Sequence, residues 1–186
     1  MKKLIKIIVI LLLLLAIYFL FLKIRIDKII LKKIYPMSYS DYVEKYSEEY
    51  DIDKYLVYAI IKAESNFNES AKSSSQAVGL MQIMEATALE TAESMDLQVT
   101  EDELFDPEIN IKIGLKYYKT LLEKYDNNYK IAIVAYNAGI GNVDKWIEDG
   151  IINENGSNLE NVPFKETENY LRKIVRDYEI YKKLYN

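Results

Sequence analysis

The residue best placed for acid–base chemistry in this sequence is Glu64. It lies in the segment Lys54–Glu64, where Val57, Ile60, Ile61 and Glu64 fall at i, i+3, i+4 and i+7. On a helix these positions share one face, so the carboxylate continues an apolar stripe. Ile60 and Ile61 stand one turn before it, and Phe67 and Asn68 one turn after, so no Lys or Arg sits at helical contact spacing. A carboxylate in that position loses water and gains no local cation, and both effects favour its neutral form. A carboxylic acid still protonated near neutral pH can donate to the oxygen of a glycosidic bond. Read alone, the same Glu could also close a helix with its side chain turned into solvent. The sequence holds no His and no Cys. Acid–base work near neutrality must therefore fall to a carboxylate, Lys or Tyr, and thiolate and disulfide chemistry are excluded.

Other residues able to contact a ligand stand further along. Gly79-Leu80-Met81-Gln82-Ile83-Met84 begins fifteen residues after Glu64. Gly79 allows positive φ or a close backbone approach, and Gln82 offers both a donor and an acceptor. Met81 and Met84 read equally as gap-filling core residues. Ala135-Tyr136-Asn137-Ala138-Gly139 ends an apolar segment, where Tyr136 could be either a core residue or a groove residue. Ser73 lies in a Ser-rich loop, and Tyr170 is one of 17 tyrosines.

The elements that must position these residues read as helices. Ser40 can cap a first helix to about Tyr50, and Asp53 a second over Lys54–Glu64. Residues 70–79 read as a loop, followed by a helix through 85–95. Asp106-Pro107 places a cap before a proline at the first helical position and opens a long helix to about Tyr125. Asn128 begins an apolar helix ending near Gly139. A short helix at 143–149 carries Trp146, a polar loop covers 150–163, and a terminal helix runs from Glu166 to about Leu184. No stretch keeps period-two alternation, so no sheet of consequence is expected. The fold class is all-α.

Ahead of this domain, Ile7 to Leu22 is sixteen consecutive apolar residues. Leu4 to Leu22 would span about 28 Å as a helix, close to the hydrocarbon thickness of a bilayer. No small-residue cleavage site follows, so an uncleaved anchor is expected rather than a signal peptide, and a lipid-modified cysteine is excluded. The expected organisation is an anchor at 1–22, a basic juxtamembrane connector at 23–36 and a domain at 37–186. Residues 1–36 hold eight Lys/Arg and a single acid, Asp27, with basic residues on both sides of the span, so charge does not orient it. Residues 37–186 hold 16 basic and 28 acidic residues, a net charge of −12, which disfavours nucleic acid as a partner.

The four motifs Glu64-Ser65-Asn66-Phe67, Gly79–Met84, Ala135–Gly139 and Pro163-Phe164-Lys165-Glu166-Thr167 with Tyr170, in this order, resemble the soluble lytic transglycosylase family, related to goose-type lysozyme. Asp106-Pro107 with Asn110, Ile111 and Gly114 resembles that family's D-P-x-x-N-I/L-x-x-G segment. The resemblance covers roughly residues 40–184. It implies a lysozyme-like helical domain, and the function it implies places that domain, behind the single transmembrane helix expected from the apolar run, on the wall side of the cell membrane. It also implies an enzyme that cleaves peptidoglycan glycan strands without metal or cofactor, leaving 1,6-anhydromuramoyl ends. Protein partners are not implied. Glu64 would be the catalytic acid, then base, with Tyr170 turned toward it. Ser73, Gln82, Met84, Tyr136 and Asn137 would line the sugar groove. The same fold also suits a muramidase that uses water, and a tethered wall-binding protein without catalysis is the third reading. Two positions depart from the family pattern. Glu168 stands where Arg is common, which would add negative charge near the site and could weaken an ion pair. Glu85 stands where Pro is common.

Overall fold

The computed structural model describes residues 2–186; Met1, the first residue of the expected anchor, lies outside the described residues. It divides into two units, residues 1–36 with 184–186, and residues 37–183. In the first, helix α1 runs without a break over Lys2–Ile34, through the basic segment as well as the apolar run. Val9–Ile34 is 26 residues, long and apolar enough to cross a membrane.

The second unit is helical, with α2 Ser40–Glu49, α3 Lys54–Glu64, α4 Glu85–Glu93, α5 Pro107–Lys124, α6 Tyr129–Ala138, α7 Ile140–Glu148 and most of α8 Lys165–Tyr185. Its centre is made by the two helices whose sequences are apolar on nearly every side. Leu56 to Ile61 of α3 are all buried, as are Ile131 to Ala135 of α6. Around them α5 contributes Ile111, Ile113, Leu115, Tyr118 and Leu121. This helical architecture agrees with the all-α class expected from the sequence.

Several helix starts follow their predicted caps. Asp53 accepts from the Tyr55 N–H at 2.8 Å. Asp106 accepts from the Ile109 N–H at 3.0 Å, with Pro107 spending no donor in the first turn. Asn128 accepts from the N–H groups of Lys130 and Ile131. Ser40 does not cap α2. Tyr39 holds the cap position in the left-handed region at φ 58° without a side-chain cap, and Ser40 is the first helical residue. The helix carrying Trp146 begins at Ile140 rather than Val143, because Gly139, at φ 84°, turns the chain directly from α6 into α7.

The sequence reading missed a small hairpin. Strands β1 Ala77–Val78 and β2 Ile83–Met84 pair antiparallel, Ala77 with Met84 and Val78 with Ile83. Two-residue strands carry no readable period. The hairpin nonetheless closes the Gly79–Gln82 turn that presents Gln82 and Met84.

Candidate active site

Glu64 is the last residue of α3. The Ser65 N–H closes the helix on the Ile61 carbonyl, and Asn66 and Phe67 then turn the chain away at φ 50° and 66°. The Ser65 hydroxyl ties this corner to the Leu80 carbonyl at 2.8 Å. The helix end and the hairpin turn are thus fastened together, so the carboxylate does not swing free.

Tyr170, on α8, donates its hydroxyl to Glu64 Oε1. Burial pushes the Glu64 carboxyl up from its ordinary 4.5 to about 7, while the Tyr170 hydrogen bond and the Lys173 ammonium act to lower it. Desolvation wins because neither is a close ion pair. Lys173 donates instead to the Ala63 carbonyl at 3.0 Å. Both Tyr170 and Tyr136 have hydroxyls pushed well above their ordinary value, first by burial and then by the nearby Glu64 charge. They remain donors at any physiological pH. Tyr136 donates to the Met81 carbonyl at 2.8 Å and packs against Tyr117 and Tyr118 at 5.5 and 6.1 Å between ring centres.

Beside this cluster lies a pocket of about 270 Å³ lined by Gln82, Met84, Thr87, Tyr117, Tyr136 and Asn137 among others. Four residues singled out in the sequence therefore share one concavity, with Tyr136 common to it and to the Glu64 cluster. Met84 is 45% exposed while Met81 is fully buried, which separates the groove methionine from the core one. Gln82, at φ 45°, spends its Nε2 on the Ala71 and Gly79 carbonyls, both at 3.0 Å. It therefore offers a ligand only its acceptor, not the donor and acceptor the residue type allows. Ser73 is held within the loop. Its Oγ accepts from the Ala77 N–H at 3.0 Å, and its described contacts are with that loop rather than with Glu64.

The residue that holds the turn together is Asn110 of α5. It is fully buried, accepts from the Met81 N–H at 2.8 Å, and donates to the Val78 and Leu104 carbonyls at 3.0 and 2.7 Å. Gly79 stands at φ 73°, and a Cβ there would meet Asn110 Nδ2 at 2.2 Å. A Cβ on Gly114, one helical turn beyond Asn110, would meet Met81 Sδ at 2.6 Å. The spacing of Asn110 and Gly114 is thus the footprint of the Gly79–Gln82 turn on α5. Sequence reasoning noted Thr167 only as part of the Pro163–Thr167 motif and gave it no role; it is buried and donates to Asn137 Oδ1 at 2.7 Å. A threonine in the first turn of an amphipathic helix carries no signal of its own.

Glu168 does not load charge onto the site. It is buried and paired with Lys165 and Arg172, both at 2.5 Å, and these cations hold its carboxyl below the usual range. Two residues from Tyr170, it projects from another side of α8 and lines a different cavity of about 460 Å³ with Leu159, Leu171 and Arg176. The Glu101 side chain beside Glu85 pushes the Glu85 carboxyl up.

If Glu64 must be protonated to act, activity falls as pH rises through about 7. Lys173→Met removes a charge that lowers that value, so the alkaline limb should move to higher pH. At about pH 6 the rate should change by less than about fivefold, the worth of one exposed charge pair. A pH–rate profile of both forms checks this; a limb that stays put or moves down separates Lys173 from Glu64.

These features define a lysozyme-like helical domain with one desolvated carboxylic acid beside a tyrosine-walled groove. A family model for the transglycosylase SLT domain matches residues 41–154. The soluble lytic murein transglycosylase of Escherichia coli is 32% identical over 148 residues, which are 78% of this chain and 23% of that protein. Membrane-bound lytic murein transglycosylase C of Edwardsiella ictaluri is 33% identical over 175 residues, 79% of this chain and 47% of that one. Among solved structures, an inactive Glu-to-Gln variant of lytic transglycosylase Slt from Pseudomonas aeruginosa superposes at a TM-score of 0.76, with 28% identity over 82% of this chain and 25% of the other. The 70 kDa soluble lytic transglycosylase complexed with bulgecin A gives 0.75, with 33% identity and the same coverage. The chain belongs to the SLT transglycosylase family. It spans about a quarter of the length of the soluble relatives it matches.

Proposed function

We propose that this protein is a membrane-anchored lytic transglycosylase that cleaves the β-1,4 bond between N-acetylmuramic acid and N-acetylglucosamine. The observation that carries the proposal is Glu64, desolvated and held by the Tyr170 hydroxyl. Protonated Glu64 donates to the glycosidic oxygen as the C–O bond breaks. The substrate's own 2-acetamido group supports the oxocarbenium-like centre. Ionised Glu64 then takes the proton of the muramoyl C6 hydroxyl, whose oxygen closes on C1. The anhydro product forms, and Glu64 is protonated again. Tyr170 orients the carboxylate and stabilises its charged form between the two steps.

Two observations favour ring closure over hydrolysis. A water-using glycosidase needs a second carboxylate as nucleophile or base. The charged group acting on Glu64 is the cation Lys173, and the described residues lining the neighbouring pocket, which does not itself include Glu64, hold no acid. The inactivity of the Pseudomonas relative's Glu-to-Gln variant supports a glutamate-dependent reaction in this fold. Mass spectrometry of muropeptides released by the protein tests the reading. A 1,6-anhydro end is lighter by one water than a reducing end, and release of reducing ends alone would make this a hydrolase.

The anchor reading rests on α1 and on the membrane-bound name of one relative. The domain would face the wall, where its substrate is. The full chain should sediment with membranes, whereas a chain beginning at Met37 should stay soluble without detergent and retain activity. Recovery of a shortened protein with a new N-terminus near residue 23 would contradict an uncleaved anchor.

A further inference from the structure

In α8, Tyr170, Ile174, Asp177 and Tyr181 fall at i, i+4, i+7 and i+11 and share one face. Ile174, Asp177 and Tyr181 are wholly buried. This face runs along α3 in the opposite sense. Tyr170 reaches Glu64, Lys173 donates to the Ala63 carbonyl, and the Tyr181 ring stacks on Tyr58 at 5.6 Å between centres. At the far end Tyr178 donates to Asp53 Oδ2 at 2.7 Å. Asp177 is the charged residue of the buried face, and the proposed mechanism does not use it. Its Oδ1 takes two nitrogens of Arg176 at 2.9 and 2.8 Å. Arg176 is its neighbour in α8, largely exposed, and travels with it. The cation on the facing helix is Lys62, half-buried in the last turn of α3. Burial pulls the Lys62 ammonium below its usual value, the Asp177 charge opposes this, and Lys173 and Arg176 add to it. Lys62 donates to Asn66 Oδ1 at 3.3 Å, in the corner just beyond Glu64.

Apolar burial is non-directional, so an apolar and aromatic face does not by itself fix how far α8 slides along α3. A slip of one turn, about 5.4 Å, would set Ile174 rather than Tyr170 opposite Glu64. The same slip would carry a desolvated carboxylate away from Lys62, and a buried charge parted from its partner is strongly unfavourable. We propose that Asp177 is a positioning residue: facing Lys62 across the two helices, it sets the register of α8 on α3 that delivers the Tyr170 hydroxyl to Glu64. The inference rests on the reading of Glu64 as the acid–base group.

The test is a double-variant cycle on the full chain in detergent micelles. It is scored by anhydro-muropeptide release and by the alkaline limb of the pH–rate profile. Tyr170→Phe removes the hydroxyl and should slow release about tenfold, the worth of one hydrogen bond to a charged group. Asp177→Asn keeps the size but not the charge, and should slow release by a similar factor. The double variant should fall within about twofold of Tyr170→Phe, because the contact that Asp177 secures is already gone. The sign of the pH shift is the second readout. Loss of the Asp177 charge acting through space alone would favour ionised Glu64 and move the limb down. Loss of the Tyr170 hydrogen bond, which lowers the Glu64 pKa, moves it up. The limb should therefore move up in Asp177→Asn, as in Tyr170→Phe, and no further in the double variant. A lowered melting temperature with the rate and limb of wild type would make Asp177 merely structural and overturn the proposal. So would a limb that moves down, or two rate losses that multiply to about a hundredfold. If Asp177→Asn does not fold, Lys62→Met, at a half-buried position, replaces it in the rate cycle, where losses that multiply overturn the proposal. A wild type that releases no anhydro product removes the acid–base reading and this proposal together, whereas an active wild type with multiplying losses removes the proposal alone.

Discussion

Glu64→Gln should leave a folded, glycan-binding protein whose release of anhydro-muropeptides is at least about a hundredfold slower, and up to ten-thousandfold, the range for removing one general acid–base group. The upper end is expected because, on the proposed mechanism, one side chain serves both proton transfers. The amide can still accept from Tyr170, and Gln82, Tyr136 and Asn137 are untouched, so binding survives. Stability supplies a second readout. The folded carboxyl titrates near 7 and the unfolded one near 4.5, so the folded state holds its proton more tightly. The favourable neutral form is fully present below about 4.5 and is lost as pH rises through about 7. Above that, the wild type carries a buried charge that the glutamine variant lacks. Glu64→Gln should therefore match wild type near pH 4 and exceed it near pH 8, by at most about 3 kcal/mol. A variant releasing product at more than about a tenth of the wild-type rate, far short of the expected loss, would remove Glu64 from the reaction.

The largest loss of stability is expected at Asn110. Asn110→Ala strands the Met81 N–H and the Val78 and Leu104 carbonyls in the protein interior. Each unsatisfied group costs about 1–3 kcal/mol, partly recovered if water enters. A net loss of about 3–5 kcal/mol corresponds to a fall of about 10 °C or more in melting temperature for a domain of this size. Activity at a temperature where the variant is folded should also drop, because the released turn carries Gln82. Thermal unfolding of the two forms checks the first point; a fall of less than about 3 °C would mean that the turn does not depend on Asn110.

Helices and their caps were legible because they depend on local pattern. The apolar α3 and α6, Asp53, Asp106-Pro107 and Asn128 each state their structure within a few residues. The Glu64 environment was half legible. Its apolar stripe was visible, but Tyr170 and Lys173 come from α8, and residues brought together only by packing leave no mark on local periodicity. The place of Tyr170 was suggested by resemblance alone, and Lys173 was not singled out. The orientation of the Gln82 and Asn137 carboxamides was beyond reach, since residue type states what an amide can offer and not which end its neighbours consume. Asn110 and Gly114 were noticed as a motif, and the turn they grip explains their spacing.

The hydrogen bond between Tyr170 and Glu64 joins residues 106 apart in the chain. Glu64 is made first during synthesis, and its partner tyrosine, along with Thr167, only later. Until α8 docks, Glu64 has no Tyr170 to hold it and Asn137 no Thr167 to turn it. Closing so long a loop is entropically slow and rewarded only at the last contact. On the proposed mechanism, removing α8 alone would disarm Glu64 without touching the helix that carries it.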